Sequence, residues 1–341
     1  MVTPSPTQRT LTPADIESLT RASFGDGMRV VDCGPLSGGG FAAVWWVRLG
    51  DGRTVVLKTS PPTHVKLLRY ERDLLGAEAR YYRLVAERAP HLKVPRVLAH
   101  DRDPAVLDGD WLFMTMLPGQ PLAHHAEAAG RMGHEAFDGD GPAHEEFGTM
   151  VAELHRITGS RFGYDGGRTS AATWPEAFAG LVDDLLADAV DWDINLPAPP
   201  DDFRAAVRRH TEVLAQVVRP ALVQLDCWNG NVLAAPDDSG TLRLTGVVDG
   251  ERYLWGDPLF DFVSPAIFRH IEDEPDNPFV RGYGPFVFDD SARLRLGLYR
   301  MHLYLLMNVE LPSRGVTRDD NPGQYDYYAE VLSGELGRLR A

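Results

Sequence analysis

The sequence predicts an α+β fold in two lobes, a small antiparallel sheet with helix followed by a larger, mainly helical region. Three observations predict it. Between residues 28 and 117, short runs rich in valine, leucine and aromatic residues alternate with turn residues around one helical stretch. Pro118-Gly119 then interrupts the chain, and beyond it apolar residues recur at helical spacing over most of the remaining length. Within that second part, three short apolar runs are broken by Asp, Asn and Gly, the pattern of buried strands around a polar loop.

The elements follow in order. Residues 1–10 are polar, contain prolines and lack a signal-peptide core, so a disordered tail is expected. Thr12-Pro13 followed by Asp15 supplies an N-cap, a first-turn proline and an early negative charge, predicting a helix to about Gly25. Strands are expected over 28–33, 41–49 and 54–59, the last two joined by Asp51-Gly52, which suits a tight hairpin turn. Residues 65–88, rich in Leu, Glu, Arg and Ala, predict one long helix or two divided at Gly76. Strands over 97–101 and 111–117 complete a five-strand set, and the hinge at Pro118-Gly119 separates a first lobe, 1–117, from a second, 118–341. In the second lobe Phe147, Met150, Val151 and Leu154 share a helix face. Further helices are expected over 174–190, 202–218, 294–308 and 325–339, with strands at 222–225, 232–234 and 242–248.

Composition narrows the partners. The chain has 341 residues, 44% of them hydrophobic, enough for a sizeable core. Its 49 acidic and 34 basic side chains give a net charge of −15, which repels nucleic-acid phosphates and anionic lipid. A neutral or cationic small molecule is easier to accommodate, and the chain is expected as a monomer or homodimer. Cys33 and Cys227 lie far apart, outside any disulfide framework or zinc spacing, which fits a reducing cytoplasm. No apolar run approaches the roughly 20 residues that span a bilayer.

The sharpest chemical signal is Leu222-Val223-Gln224-Leu225-Asp226-Cys227-Trp228-Asn229-Gly230-Asn231, with Asp249 following in Gly246-Val247-Val248-Asp249-Gly250-Glu251. Phosphoryl transfer needs a carboxylate to orient the attacking hydroxyl and take its proton, and oxygen ligands to hold Mg²⁺ across nucleotide phosphates. Asp226 suits the first task, Asn231 and Asp249 the second. Two strands are expected to flank this loop as a hairpin.

The D-x4-N element, the following Asp249 and Gly256-Asp257-Pro258-Leu259-Phe260-Asp261 resemble the aminoglycoside phosphotransferase and choline kinase-like family, whose order of elements covers nearly the whole chain. The resemblance implies a protein-kinase-like bilobal fold. It also implies Asp226 as catalytic base, Asn231 and Asp249 as magnesium ligands, and Asp257 as a brace for the catalytic loop. Gln224 stands where the family has His, an architectural hydrogen-bonding position that Gln can fill.

The first lobe supports this independently. Leu36-Ser37-Gly38-Gly39-Gly40-Phe41 lies between two predicted strands, where glycines let backbone N–H groups approach phosphates. Lys58 ends the apolar run Val55-Val56-Leu57, where an ammonium needs partners. Those are nucleotide phosphates and a helix glutamate, Glu78 by the family pattern, with Glu71 the competing choice. Residues 113–117, with Thr115 and Leu117, match the hinge strand whose backbone would pair with adenine.

Other features read as structure. His124, His125, His134 and His144 match no compact ligand set and are expected in an exposed insertion. His155 is read as a packing and hydrogen-bonding residue, and Cys227 as filler. The acidic clusters Asp183, Asp184, Asp188, Asp191, Asp193 and Glu272, Asp273, Glu274, Asp276 are mostly solvated faces. Asp188 and Glu251 are kept as candidate substrate contacts, Glu251 because it follows Asp249 by two residues, although pairing with Arg252 or Arg269 accounts for it equally.

The expectation is an ATP- and Mg²⁺-dependent small-molecule kinase with the nucleotide between the lobes. Its acceptor is an antibiotic or related natural product. The alternatives are a metabolic sugar or amino-sugar kinase and a catalytically silent nucleotide-binding homologue. A protein kinase is disfavoured, because no Arg precedes Asp226 and no Asp-Phe-Gly or Ala-Pro-Glu segment is present.

Overall fold

The computed structural model describes residues 5–36, 40–136 and 139–340. Helix α1 (Pro13–Phe24) starts at Thr12, whose side chain accepts from the Asp15 amide while the Asp15 carboxylate accepts from the Thr12 amide at 2.8 Å. This reciprocal cap satisfies two backbone donors that the helix itself leaves open. Strands β1 (Val30–Pro35), β2 (Ala43–Leu49), β3 (Thr54–Thr59), β4 (Val97–Asp101) and β5 (Trp111–Thr115) form one antiparallel sheet in the order β1-β2-β3-β5-β4. Alternation along β3 decides what the site receives. Val55 and Leu57 pack with Ile16 and Leu19 of α1 under one face, so Val56 and Lys58 point to the opposite face, the wall of the interlobe cleft.

Two expectations for this lobe are corrected. The stretch 65–88 breaks at Asp73, which holds a left-handed φ of +61°, and α2 (Leu74–Arg88) starts directly after it. Gly76 lies inside α2, where a side chain would collide with the Asp73 carboxylate. The described part of the amino-terminal tail is packed: Thr7 is buried, its hydroxyl donates to the Gly40 carbonyl at 3.1 Å, and Pro6 rests against Gly315.

Past Gly119, at φ +95°, the chain enters the second lobe through β6 (Gln120–Pro121), α3 (Leu122–Ala128) and α4 (Gly141–Leu154). It continues through β7 (Phe162–Gly163), β8 (Ser170–Ala171), α5 (Trp174–Asp191), α6 (Pro200–Arg209) and α7 (Thr211–Leu214). The strands β9 (Ala221–Val223), β10 (Val232–Pro236), β11 (Leu242–Val247) and β12 (Leu254–Gly256) precede α8 (Pro278–Tyr283), α9 (Asp290–Ser313) and α10 (Pro322–Arg340). The core between α5, α9 and the 258–262 turn is aromatic, with Phe260 stacked on Tyr299 at 4.6 Å beside Trp174 and Phe178. Among the described residues no helix is long and apolar enough to cross a membrane.

The expected hairpin around Asp226 is also corrected. β9 belongs to a sheet ordered β8-β7-β12-β9, whereas β10 lies in another, ordered β11-β10-β6. The loop between them therefore bridges two small sheets, and its shape cannot come from strand pairing. It needs other anchors.

Candidate active site

Those anchors are side chains. Leu225 is held at a left-handed φ of +71°, a costly conformation for a branched residue that persists only when its surroundings impose it. The buried Asp261 carboxylate imposes it, accepting from the amides of Gln224 at 2.9 Å and Leu225 at 2.6 Å and lying 3.0 Å from His155 Nε2. The Ser264 hydroxyl donates to the Leu225 carbonyl at 2.8 Å. Gln224 accepts from the Tyr81 hydroxyl of α2 at 2.8 Å and donates to the Val248 carbonyl at 3.0 Å. It thus ties the loop both to the first lobe and to the segment carrying Asp249.

The bracing role expected of Asp257 falls to Asp261. Asp257 faces the core instead, accepting from Arg295 and from the Tyr299 hydroxyl of α9 at 2.6 Å each. Nor do the four histidines form one exposed insertion. His124 is exposed, His125 and His134 are half-buried, and His144 is buried in α4, its Nε2 lying 2.9 Å from Asn229 Oδ1 in the Asp226 loop.

Around this frame the charged groups converge. Asn231 Nδ2 donates to the Asp226 carbonyl at 2.9 Å, closing the loop on itself. Lys58, 5% exposed, donates to both Glu78 oxygens at 2.8 and 2.9 Å, pairs with Asp249, and lies 3.7 Å from Glu251. Glu71 pairs with Arg314 instead. Burial works against the Lys58 charge, but Asp249, Glu78 and Glu251 outweigh it and hold the ammonium well above its ordinary value. Three carboxylates around one ammonium leave surplus negative charge. Burial, joined by repulsion from Asp249 and Glu78, pushes the Glu251 carboxyl up to about 8. Burial also raises Asp226, opposed by the Arg252 guanidinium 3.7 Å away, which in turn donates to Glu310 at 2.8 Å.

The cleft has two halves that share Val44, Lys58, Trp228, Asn231 and Asp249. One, of about 470 Å³, is lined by Val56, Met114, Thr115, Leu117 and Leu233. The other, of about 430 Å³, is lined by Gly40, Asp226, Glu251, Arg252, Phe268 and Glu310, among others. Gly38 and Gly39 lie outside the described residues. Asp188 lines neither half: it is buried against Arg69, accepting from its amide at 2.9 Å and its guanidinium at 2.5 Å. Asp183, Glu272, Asp273 and Glu274 are likewise paired with arginines.

Sequence reasoning did not place Arg252, Glu310 and Phe268 at the cleft, which all three line. Arg252 was within reach, as a cation adjoining the Asp249–Glu251 motif. Glu310 and Phe268 carry no local signal, since only the packing of α9 and of the 264–268 turn brings them to the cleft.

Residues 32–296 match the phosphotransferase enzyme family. A search of curated proteins matched none. Among solved structures, a protein of Thermobifida fusca YX-ER1 assigned as a fructosamine-3-kinase is 19% identical, with 97% of this chain and 100% of that chain covered and a TM-score of 0.64. The aminoglycoside phosphotransferase APH(4)-Ia, in ternary complex with AMP-PNP and hygromycin B, is 16% identical over 96% of this chain and 99% of its own, with a TM-score of 0.61. Macrolide 2'-phosphotransferase MphH of Brachybacterium faecium is 17% identical over 93% and 98%, with a TM-score of 0.54. At these identities the structures speak for the bilobal, protein-kinase-like α+β fold, and the family match extends over more than half of the chain. The chain belongs to the phosphotransferase enzyme family and is a small-molecule kinase.

Proposed function

We propose that the protein transfers the γ-phosphoryl group of ATP to a hydroxyl of an antibiotic or related natural product. The observation that carries this reading is the convergence of Asp226, Asn231, Asp249 and Lys58 on one cleft that continues into an apolar half of nucleotide size. In this reading adenine lies among Val56, Met114 and Leu117, pairing with the backbone of 115–117. Lys58, oriented by Glu78, meets the α- and β-phosphates. Asp226 accepts the acceptor's hydroxyl proton as the oxygen–phosphorus bond forms, the bond from γ-phosphorus to the bridging oxygen breaks, and ADP leaves.

The donor set fits magnesium. Asp249 and Asn231 offer hard oxygen ligands, and the carboxylate oxygens of Glu78, Asp249 and Glu251 lie within 4.8 Å of one another, an excess of negative charge that a divalent cation relieves. Bound there, the ion would neutralise phosphate charge. The AMP-PNP complex of APH(4)-Ia supports ATP as donor, and its hygromycin B supports an antibiotic acceptor. The fructosamine-3-kinase likeness favours the second reading, a sugar or amino-sugar kinase.

The test is ADP release over a panel of hydroxylated acceptors. Asp226→Asn should lower turnover roughly 10³-fold, the scale of a lost general base, while AMP-PNP affinity stays within about twofold. Equal turnover in the variant would remove Asp226 from the chemistry.

A further inference from the structure

The acceptor half of the cleft contains many charges, yet its carboxylates already have partners within the chain. Glu310 accepts from Arg252 at 2.8 Å and lies 3.3 Å from Arg314. Asp249 and Glu251 share Lys58, and Glu71, behind Arg314, is paired with it. Asp226 remains, 3.7 Å from Arg252, and is the base in the reading above. A polycation is held by carboxylates that can turn to it with charge-assisted hydrogen bonds. Here it would first have to displace an arginine or Lys58 from a desolvated pair, leaving that cation without its partner.

What this half offers is apolar surface, from Phe41, Ile267, Phe268, Leu303, Met307 and Tyr328. Phe268 is the outlier. Its φ of +64° is rare for a bulky side chain, and such strain persists where the surroundings impose it, often where a ligand is gripped. Half-buried at the edge of the cleft, its ring lies near-parallel to Tyr304 at 5.9 Å and 29° from parallel to Tyr328 at 6.2 Å, with Tyr327 edge-on at 5.0 Å and His134 at 5.2 Å. Glycine would adopt this backbone without strain but would remove the ring.

We propose that Phe268 is a platform on which a flat ring of the acceptor stacks, so that the enzyme selects an uncharged hydroxylated compound bearing an aromatic ring and not a polycation. This rests on the phosphotransferase reading of the cleft, and it narrows the acceptor class. The apolar wall takes the body of the molecule, and a hydroxyl on its polar end reaches Asp226. Offset or edge-to-face ring contact is worth more than the burial of the same area alone.

The experiment is saturation-transfer NMR on the full chain with Mg²⁺ and AMP-PNP, using phenyl β-glucoside and kanamycin as probes. Saturation should reach the phenyl protons more strongly than the sugar protons, and kanamycin should receive less. Phe268→Gly should weaken phenyl glucoside binding roughly fivefold to tenfold, as expected for one lost stacking contact. Phe268→Trp should retain binding. Should Phe268→Gly unfold, Phe268→Leu, which keeps apolar bulk without a ring, carries the same comparison. Kanamycin saturation equal to that of phenyl glucoside, saturation of neither probe, or unchanged binding in the ring-less variant would overturn the proposal. Asp226→Asn should lower phosphate transfer to phenyl glucoside roughly 10³-fold while its phenyl protons still receive saturation. A wild-type chain that binds it yet releases no ADP with any acceptor would sink the catalytic reading and leave the platform standing.

Discussion

The half of the cleft proposed for the nucleotide takes part of its wall from strands, with Val44 of β2, Val56 of β3, Thr115 of β5 and Leu233 of β10. The half proposed for the acceptor, apart from the shared Val44 and Lys58, is walled by loop and helix residues drawn from Phe41 to Tyr328. In the first, the side-chain period of β3 places Val56 and Lys58, so one buried cation meets its glutamate in a single geometry. In the second, charges cancel in pairs distant in sequence, Arg252 with Glu310 and Arg314 with Glu71, and under the stacking proposal shape and ring contact discriminate. In the proposed reading the regular wall holds what is common to every turnover, and the irregular wall can vary with the acceptor. The comparison makes graded predictions.

The largest effect is expected on the strand side. Lys58→Met would leave Glu78 buried without its cation and should cost roughly 3–5 kcal/mol of stability as well as nucleotide affinity, read by denaturant midpoint and AMP-PNP titration. A variant as stable as wild type would show that the regular wall does not depend on this pair. Next comes Asp261→Asn, which replaces the charged acceptor of two loop amides and should cost roughly 1–3 kcal/mol and lower kcat more than it raises KM. An unchanged kcat would mean that the loop keeps its shape without Asp261.

Arg252→Met probes the boundary between the halves. Burial raises the Asp226 carboxyl and Arg252 lowers it, so removing the guanidinium should raise it further. Because a base works only when deprotonated, activity falls as pH drops through that value, and the acid limb of kcat/KM should move to higher pH. A limb that stays in place would separate Arg252 from Asp226 electrostatically. The smallest effect is set far from the cleft: Thr12→Ala should cost about 1 kcal/mol in melting experiments and leave kcat unchanged, as expected for one lost helix cap.

How much of this was legible beforehand follows the same division. The strand wall was readable, because Val55-Val56-Leu57-Lys58 alternates about a hairpin turn and its register needs only short-range information. The D-x4-N run and Asp249 were readable because loop chemistry is local. Asp257 and Asp261 lie in one quoted motif, and sequence could not say which would face the loop and which the core, a matter decided by the 258–262 turn. Glu71 and Glu78 both flank Lys58 in sequence terms, and the break at Asp73 decides between them. Phe268, Glu310 and Arg314 were invisible, since the contacts that give them meaning are tertiary. The packed tail at Thr7 was missed for the same reason, its partner Gly40 lying 33 residues away in sequence.

The most direct test of the central claim is a crystal structure with AMP-PNP and Mg²⁺. The account predicts adenine against Thr115–Leu117, Lys58 on the phosphates, a metal ion within about 2.1 Å of oxygens from Asn231 and Asp249, and the γ-phosphate turned toward Asp226. A nucleotide bound elsewhere, or a metal ion coordinated without Asp249, would contradict it.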